Sequence, residues 1–186
     1  MVVNVGGCSA IIQNGKFSIK KMYNQLRVTY TKVPWRRVFC RNKASPKALF
    51  ITWLAAWNKL LTRDKLLVWK MVTNNICSLC GAAPESVEHL FFVCAYAKGI
   101  WSKVLDIIQF RRPVAGFKSK LEWAVKCERK HQLYLMLFAE SVYHIWIERN
   151  SKIFKEKVRT PAAVFRDILF KVAVRANADQ QRMLMV

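Results

Sequence analysis

The stretch "CSLCGAAPESVEHLFFVC", residues 77–94, decides the fold that we expect for this chain of 186 residues. Two residues separate Cys77 from Cys80, eight more precede His89, and another four precede Cys94. Three thiolates and one imidazole form a complete tetrahedral ligand set for Zn²⁺, and a two-residue gap lets one turn hold two thiolates. Because no position remains for water or substrate, the pattern predicts a structural zinc site rather than a catalytic one.

The spacing of the last two ligands also predicts local structure. In a continuous α-helix, His89 and Cys94 would be about one and a half turns apart and would point in different directions. We therefore expect the helix that Ser86 can cap to end before Cys94. The alternative is that these are free cysteines that happen to lie near a core histidine. That reading suits the other three cysteines, which lack ligand partners and are expected to be buried thiols: Cys8, Cys40 and Cys127.

Outside this stretch, apolar residues recur at helical spacing and signals for strands are scarce, so we predict an all-α fold with a central Cys-Cys-His-Cys zinc loop. Ser18, Ser45 and Thr160 stand where helices begin, and Pro46 and Pro161 follow at the first helical position. The longest periodic stretch runs from 132 to 154, and a further helix is predicted at 118–129. We expect residues 1–110 to form a basic helical arm and the zinc-binding domain, with 111–186 as a C-terminal helical region packed on it.

One predicted helix carries an aromatic stripe. Behind Ser45, apolar residues recur at steps of three and four residues, which is typical of the buried face of an amphipathic helix: Leu49, Phe50, Trp53, Leu54 and Trp57. Tryptophans at such positions usually belong to the core. We therefore expect these rings to be buried rather than to contact nucleobases.

The charge balance points to a polyanionic partner. The chain has 32 lysine and arginine residues against 11 acidic ones, a net charge of +21, yet 53% of its residues are hydrophobic. An apolar content this high excludes a disordered basic tail, and no apolar run approaches the length of a membrane span. Surplus positive charge of this size is best explained by nucleic acid, so we expect no membrane partner and no small-molecule substrate.

The cationic residues are densest where acids are missing, because no acidic residue precedes Asp64. The residues that we expect to contact phosphates lie within 28 positions of this acid-free segment: Lys20, Lys21, Arg27, Arg36, Arg37, Arg41, Lys43 and Lys47. A second cationic group follows the longest helix: Lys152, Lys155, Lys157 and Arg159.

Nothing in the sequence predicts catalysis. Neither adjacent aspartates of a polymerase palm nor a paired-carboxylate motif for two-metal phosphoryl chemistry is present, so we expect a protein without enzyme activity. The first residues also lack the basic start and apolar run of a secretory signal, which predicts reduced thiols inside the cell. We expect the nucleus or cytoplasm, with the mitochondrion as the alternative because the N-terminal segment is free of acids.

Several strings together resemble one known family. They are "GKFSIK" at 15–20, "PKALFITWL" at 46–54, "LLTRDKL" at 60–66, the cysteine–histidine stretch at 77–94 and "YHIWIERN" at 143–150. Over about residues 15–175 the chain resembles the zinc-binding domain downstream of reverse transcriptase in plant non-LTR retrotransposons. It departs from that pattern at Phe39, where the family often has tryptophan, and at Ala95, where proline commonly follows the last cysteine.

The resemblance implies a zinc-stabilised module that binds nucleic acid, RNA first and DNA second, without catalysis of its own. The alternative is a structural protein subunit of a large ribonucleoprotein, such as an organellar ribosome or a splicing particle, recruited from such an element. In that case protein subunits would be partners together with RNA.

Overall fold

The computed structural model describes residues 12–13, 16–28, 36–40, 42–108 and 131–184. The chain divides into two compact units, Met1–Val33 and Pro34–Val186. The division into 1–110 and 111–186 stays a prediction. The helix predicted at 118–129 lies outside the described residues.

The first unit contains a small hairpin followed by one helix. Strands β1 (Ile12–Gln13) and β2 (Lys16–Phe17) pair antiparallel, and α1 covers Ile19–Leu26. Ser18 begins α1 as predicted, because its hydroxyl accepts a hydrogen bond from the backbone N–H of Lys21 at 3.4 Å.

The second unit is helical wherever the structure describes regular secondary structure, which confirms the predicted fold class. Its elements are α2 (Arg36–Cys40), α3 (Pro46–Ala56), α4 (Arg63–Val68), a π-helix (His89–Val93), α5 (Ala95–Ile107), α6 (His131–Lys155), α7 (Pro161–Ala173) and α8 (Ala178–Leu184). No helix in the described part of the chain has both the length and the apolar character needed to cross a bilayer.

Helix α6 forms the centre of this unit. Every residue from Leu133 to Val142 is buried, so the helix is covered on all sides over that stretch. Helices α3 and α7 pack on it, and α5 packs on α7. Gly99 of α5 lies so close to α7 that an added Cβ would be 3.3 Å from the Cβ of Pro161, so the missing side chain allows this approach.

Helix α3 corrects the prediction for the aromatic stripe. Its buried face consists of three small residues, Ala48, Thr52 and Ala55, which recur at four- and three-residue steps and let the helix lie close to α6. The aromatic residues face outward instead, and we call these three the α3 ridge: Phe50, Trp53 and Trp57. The sequence was ambiguous because α3 is apolar on every side, so its periodicity did not mark one face as the core.

Candidate metal centre

The first two predicted ligands lie on a loop that is closed by backbone hydrogen bonds. The N–H of Cys77 donates to the carbonyl of Ala83 at 2.8 Å, and the N–H of Gly81 donates to the carbonyl of Cys77 at 2.8 Å. Gly81 adopts a φ of +67°, a conformation that costs other residues energy. These contacts bring Cys77 and Cys80 to the same side of a tight turn.

The other two ligands lie at the two ends of the π-helix. The hydroxyl of Ser86 accepts a hydrogen bond from the N–H of His89 at 3.1 Å, and the N–H of Cys94 donates to the carbonyl of His89 at 2.8 Å. In an α-helix a separation of five residues turns the side chain by about 140°. The wider π-helical turn joins residues five apart, so it places both side chains on one side. The prediction that the helix ends before Cys94 is confirmed.

The structure brings the four predicted side chains together. Their candidate ligand atoms all lie within 4.8 Å of one another. The sulfurs of Cys77 and Cys94 are 3.9 Å apart, and the sulfur of Cys80 is 3.3 Å from Nε2 of His89. A tetrahedral Zn²⁺ with its usual bond lengths would hold two sulfurs about 3.8 Å apart and a sulfur and a nitrogen about 3.5 Å apart. The residues present therefore fit a zinc ion.

The pKa shifts of two clustered cysteines and the histidine bear on how these residues would bind a metal ion. The thiol of Cys77 donates a hydrogen bond to Cys94, which, together with burial, raises the pKa of Cys77. Accepting that bond lowers the pKa of Cys94. Burial also lowers the pKa of His89, so its imidazole favours the neutral form that binds metal. A metal ion binds the thiolate form of cysteine, so its binding would release the thiol protons.

The other cysteines do not join this group. Cys40 is an exposed free thiol, so the expectation that it is buried was wrong. It lies at the last position of α2, a short helix, and not in the apolar interior. Cys8 and Cys127 lie outside the described residues.

A buried carboxylate connects the metal loop to the rest of the unit, and the sequence analysis did not single it out. Oε1 of Glu85 accepts hydrogen bonds from Nη2 and Nε of Arg149 at 2.7 and 3.1 Å and from the backbone N–H of Arg63 at 2.9 Å. The hydroxyl oxygen of Ser78, which lies in the loop that carries Cys77 and Cys80, is 3.5 Å from Oε2 of Glu85. One carboxylate thus joins the loop, the start of α4 and the C-terminal third of α6. Both partners belong to the strings that carried the family resemblance, which is the signal that could have drawn attention to them.

A second buried carboxylate, that of Glu148, binds one member of the second cationic group, Arg159. Oε1 of Glu148, which is buried, accepts from Nε and Nη2 of Arg159 at 2.9 and 2.8 Å, and Oε2 accepts from the backbone N–H of Arg159 at 2.9 Å. The same guanidinium also pairs with Asp167. The guanidinium of Arg159 thus has a structural role in joining these carboxylates, while its side chain stays 47% exposed. Phosphate contact by the second cationic group stays a prediction.

The predicted phosphate-contacting residues occur in both units. In the first, Lys20 and Arg27 are exposed and Lys21 is half-buried, and the guanidinium of Arg27 lies 5.9 Å from the ring centre of Tyr23. In the second, three are exposed: Arg36, Lys43 and Lys47. The side chain of Arg37 and all of Arg41 lie outside the described residues.

Comparison with known proteins agrees with this site. The model of the family described as "zinc-binding in reverse transcriptase" matches residues 17–101, which include all four clustered side chains. A curated protein of Arabidopsis thaliana named "Putative ribonuclease H protein" is 25% identical over 160 residues, which cover 79% of this chain and 25% of that protein. The chain therefore spans about a quarter of the length of this relative. No solved structure matches the chain. The resemblance predicted from the sequence is confirmed, since residues 17–101 match the model of the family described as zinc-binding in reverse transcriptase.

Proposed function

We propose that this protein is a non-catalytic module, stabilised by zinc, that binds RNA. The observation that carries the proposal is the convergence of three sulfurs and one imidazole nitrogen within the segment that matches the family. A bound Zn²⁺ would crosslink the loop at 77–81 to the π-helix and contribute its binding free energy to folding.

The distribution of charge supports a polyanionic partner. Three of the 11 acidic residues, Glu85, Glu140 and Glu148, are buried. The first and third bind arginines, and Glu140 accepts a hydrogen bond from the backbone N–H of Ser45 at 2.7 Å. Since these carboxylates do not reach the solvent, they do little to screen the exposed lysines. Such a surface attracts the phosphates of nucleic acid.

The arrangement of carboxylates supports a role without catalysis. Two-metal phosphoryl chemistry needs acidic side chains that converge on the metal ions. Among the residues that the structure describes, the potential metal ligands that converge in a group of three or more are the cysteines and histidine of the candidate site. The name of the Arabidopsis relative belongs to a protein of which the matched segment covers 25%.

We also propose that the protein works where thiols stay reduced, in the nucleus or cytoplasm, with the mitochondrion second. Cys40, Cys77, Cys80 and Cys94 are free thiols in the structure. Metal-binding cysteines are typical of reducing compartments, in which disulfides are rare.

The zinc half of the proposal is tested by metal analysis of the purified chain. We expect about one zinc per chain in the wild type and in Cys40→Ser, which changes an exposed cysteine outside the cluster. Cys80→Ser removes one of four ligands, so its zinc content should fall well below one. A Cys80→Ser protein that retains the full content would contradict the site.

The RNA half is tested by the salt dependence of binding to an unstructured single-stranded RNA. We expect the affinity of the wild type to fall linearly with salt on a log–log scale. For single strands each neutralised phosphate contributes about 0.7 to the slope. The triple variant Arg36→Ala/Lys43→Ala/Lys47→Ala should therefore lower the slope by about 2.

The comparison variant for that experiment changes two cations in the last turn of α6 and one just after it: Lys152→Ala, Lys155→Ala and Lys157→Ala. This variant removes the same charge as the first one. If it lowers the salt slope less than the first variant does, the phosphate contacts belong to Arg36, Lys43 and Lys47. Binding that is absent, or independent of salt in the wild type, would refute the RNA proposal.

A further inference from the structure

The α3 ridge is an exposed row of aromatic rings. Phe50, Trp53 and Trp57 are 58%, 43% and 47% exposed. The rings of Phe50 and Trp53 are stacked, with centres 6.3 Å apart and planes 17° apart, and the centres of the Trp53 and Trp57 rings are 6.5 Å apart. The planes of Trp53 and Trp57 are 61° apart, so these two rings meet edge to face. The ridge thus exposes about half of three neighbouring aromatic side chains, and contiguous apolar patches on a surface mark interaction sites.

The backbone under the ridge is held in place. Ala48, Thr52 and Ala55 pack the opposite face of α3 on α6. The end of the helix is fixed by Asn58, which has a φ of +52°, and by Lys59, whose N–H donates to the carbonyl of Leu54 at 2.7 Å. A preorganised row of rings loses little freedom when it binds a partner.

The exposed charged residues on α3 and beside its two ends are all cationic. Lys47 lies one turn before Phe50 on α3, Lys43 lies just before the helix and Lys59 just after it, and all three are exposed. The nearest acid in sequence is Asp64, whose carboxylate accepts a hydrogen bond from the N–H of Lys65. A partner that covers the ridge must therefore tolerate positive charge at both ends of α3.

From these observations we infer that the α3 ridge is a stacking surface for unpaired bases of single-stranded RNA, with the flanking lysines on its phosphates. This inference deepens the proposed function and rests on it. Aromatic rings that alternate with cations are the combination used to bind single-stranded nucleic acid, since each base has an apolar face and each phosphate a negative charge. A protein partner would need an acidic, apolar face, so charge complementarity favours RNA.

The test measures whether the ridge and the bases act together. The protein variants are the wild type and Phe50→Ala/Trp53→Ala/Trp57→Ala, and the two probes are oligouridine and a phosphodiester chain of equal length without bases. We expect the wild type to bind oligouridine at least tenfold more tightly than the base-free chain. The triple variant should bind both probes about equally, because stacking on one ring contributes roughly five- to a hundredfold by alanine substitution.

A matched control changes exposed rings on other helices, Phe154→Ala/Phe170→Ala, and should retain the preference for bases. Trp53→Ala alone provides a milder variant should the triple variant not fold, and Trp53→Phe should restore part of its loss. Zinc content and far-ultraviolet circular dichroism show whether each variant is folded.

The outcomes separate this inference from the proposed function. A wild type that binds neither probe refutes both. A wild type that binds both probes equally would refute the stacking inference, and so would ridge variants that keep the preference for bases. Either result would leave a module that binds RNA through phosphate contacts at other residues. In that case the ridge would be a protein-binding face.

Discussion

The buried pair of Glu85 and Arg149 gives the sharpest prediction for stability. Their side chains are 0% and 4% exposed, and two hydrogen bonds of 2.7 and 3.1 Å join them. Removing one partner of a buried pair leaves an uncompensated charge and costs about 3–5 kcal/mol. We therefore expect Glu85→Gln to lower the free energy of unfolding by that amount, even though its amide oxygen can still accept from the N–H of Arg63.

The measurement is urea unfolding, followed by tryptophan fluorescence and circular dichroism at one saturating zinc concentration, because bound metal adds to the stability. With a dependence on urea of about 2–3 kcal/mol per molar, the midpoint should fall by about 1–2.5 M. The zinc affinity should fall as well, since Glu85 joins the loop of Cys77 and Cys80 to α6.

A double-mutant cycle separates the pair from its neighbours. Arg149→Met alone should cost about as much as Glu85→Gln. The combined variant should cost clearly less than the sum, because neither charge is then left alone. The reasoning would be refuted if Glu85→Gln lost less than about 0.5 kcal/mol, the size of an ordinary surface effect, or if the two losses were additive.

Four further predictions concern the metal and the stability of the fold. Removal of zinc by a chelator should unfold the loop and lower the thermal midpoint, and an unchanged midpoint would mean that the metal is not structural. Burial lowers the pKa of His89, so the imidazole binds a proton more readily in the unfolded chain than in the folded one. The contribution of His89 to the stability of the metal-free chain should therefore be complete above about pH 6.5 and decline as the pH falls through the folded pKa. A series of unfolding curves at different pH values measures this. Lys70→Gly should raise the stability by about 1 kcal/mol in urea unfolding, since Lys70 has a φ of +57° that glycine adopts without strain. Trp101→Phe should lower the free energy of unfolding by about 1–3 kcal/mol in the same assay, because the indole N–H of Trp101 donates to the buried carbonyl of Phe91 at 2.6 Å. An unchanged free energy would show that this hydrogen bond contributes nothing.

The sequence alone predicted the features that depend on near neighbours in the chain. The four members of the metal cluster followed from ligand type and spacing. Three helix starts did as well, because Ser18, Ser45 and Thr160 each accept a hydrogen bond from the backbone N–H three residues later. The end of the helix before Cys94 followed from the directions that an α-helix would have imposed on the last two ligands.

The contacts between distant segments were decided by the tertiary structure alone. Glu85 and Arg149 are 64 residues apart, and their pairing requires that α4, the metal loop and α6 meet. Thr62 precedes α4 but makes no cap hydrogen bond, because the N–H groups of Asp64 and Lys65 donate instead to the carbonyl of Glu85 and the carboxylate of Asp64. Which face of α3 is buried was likewise settled by the small residues that fit against α6, and no periodicity could show this in a helix that is apolar all round. Local spacing thus determined the ligands and the helix starts, whereas packing geometry determined which side chains are left for a partner.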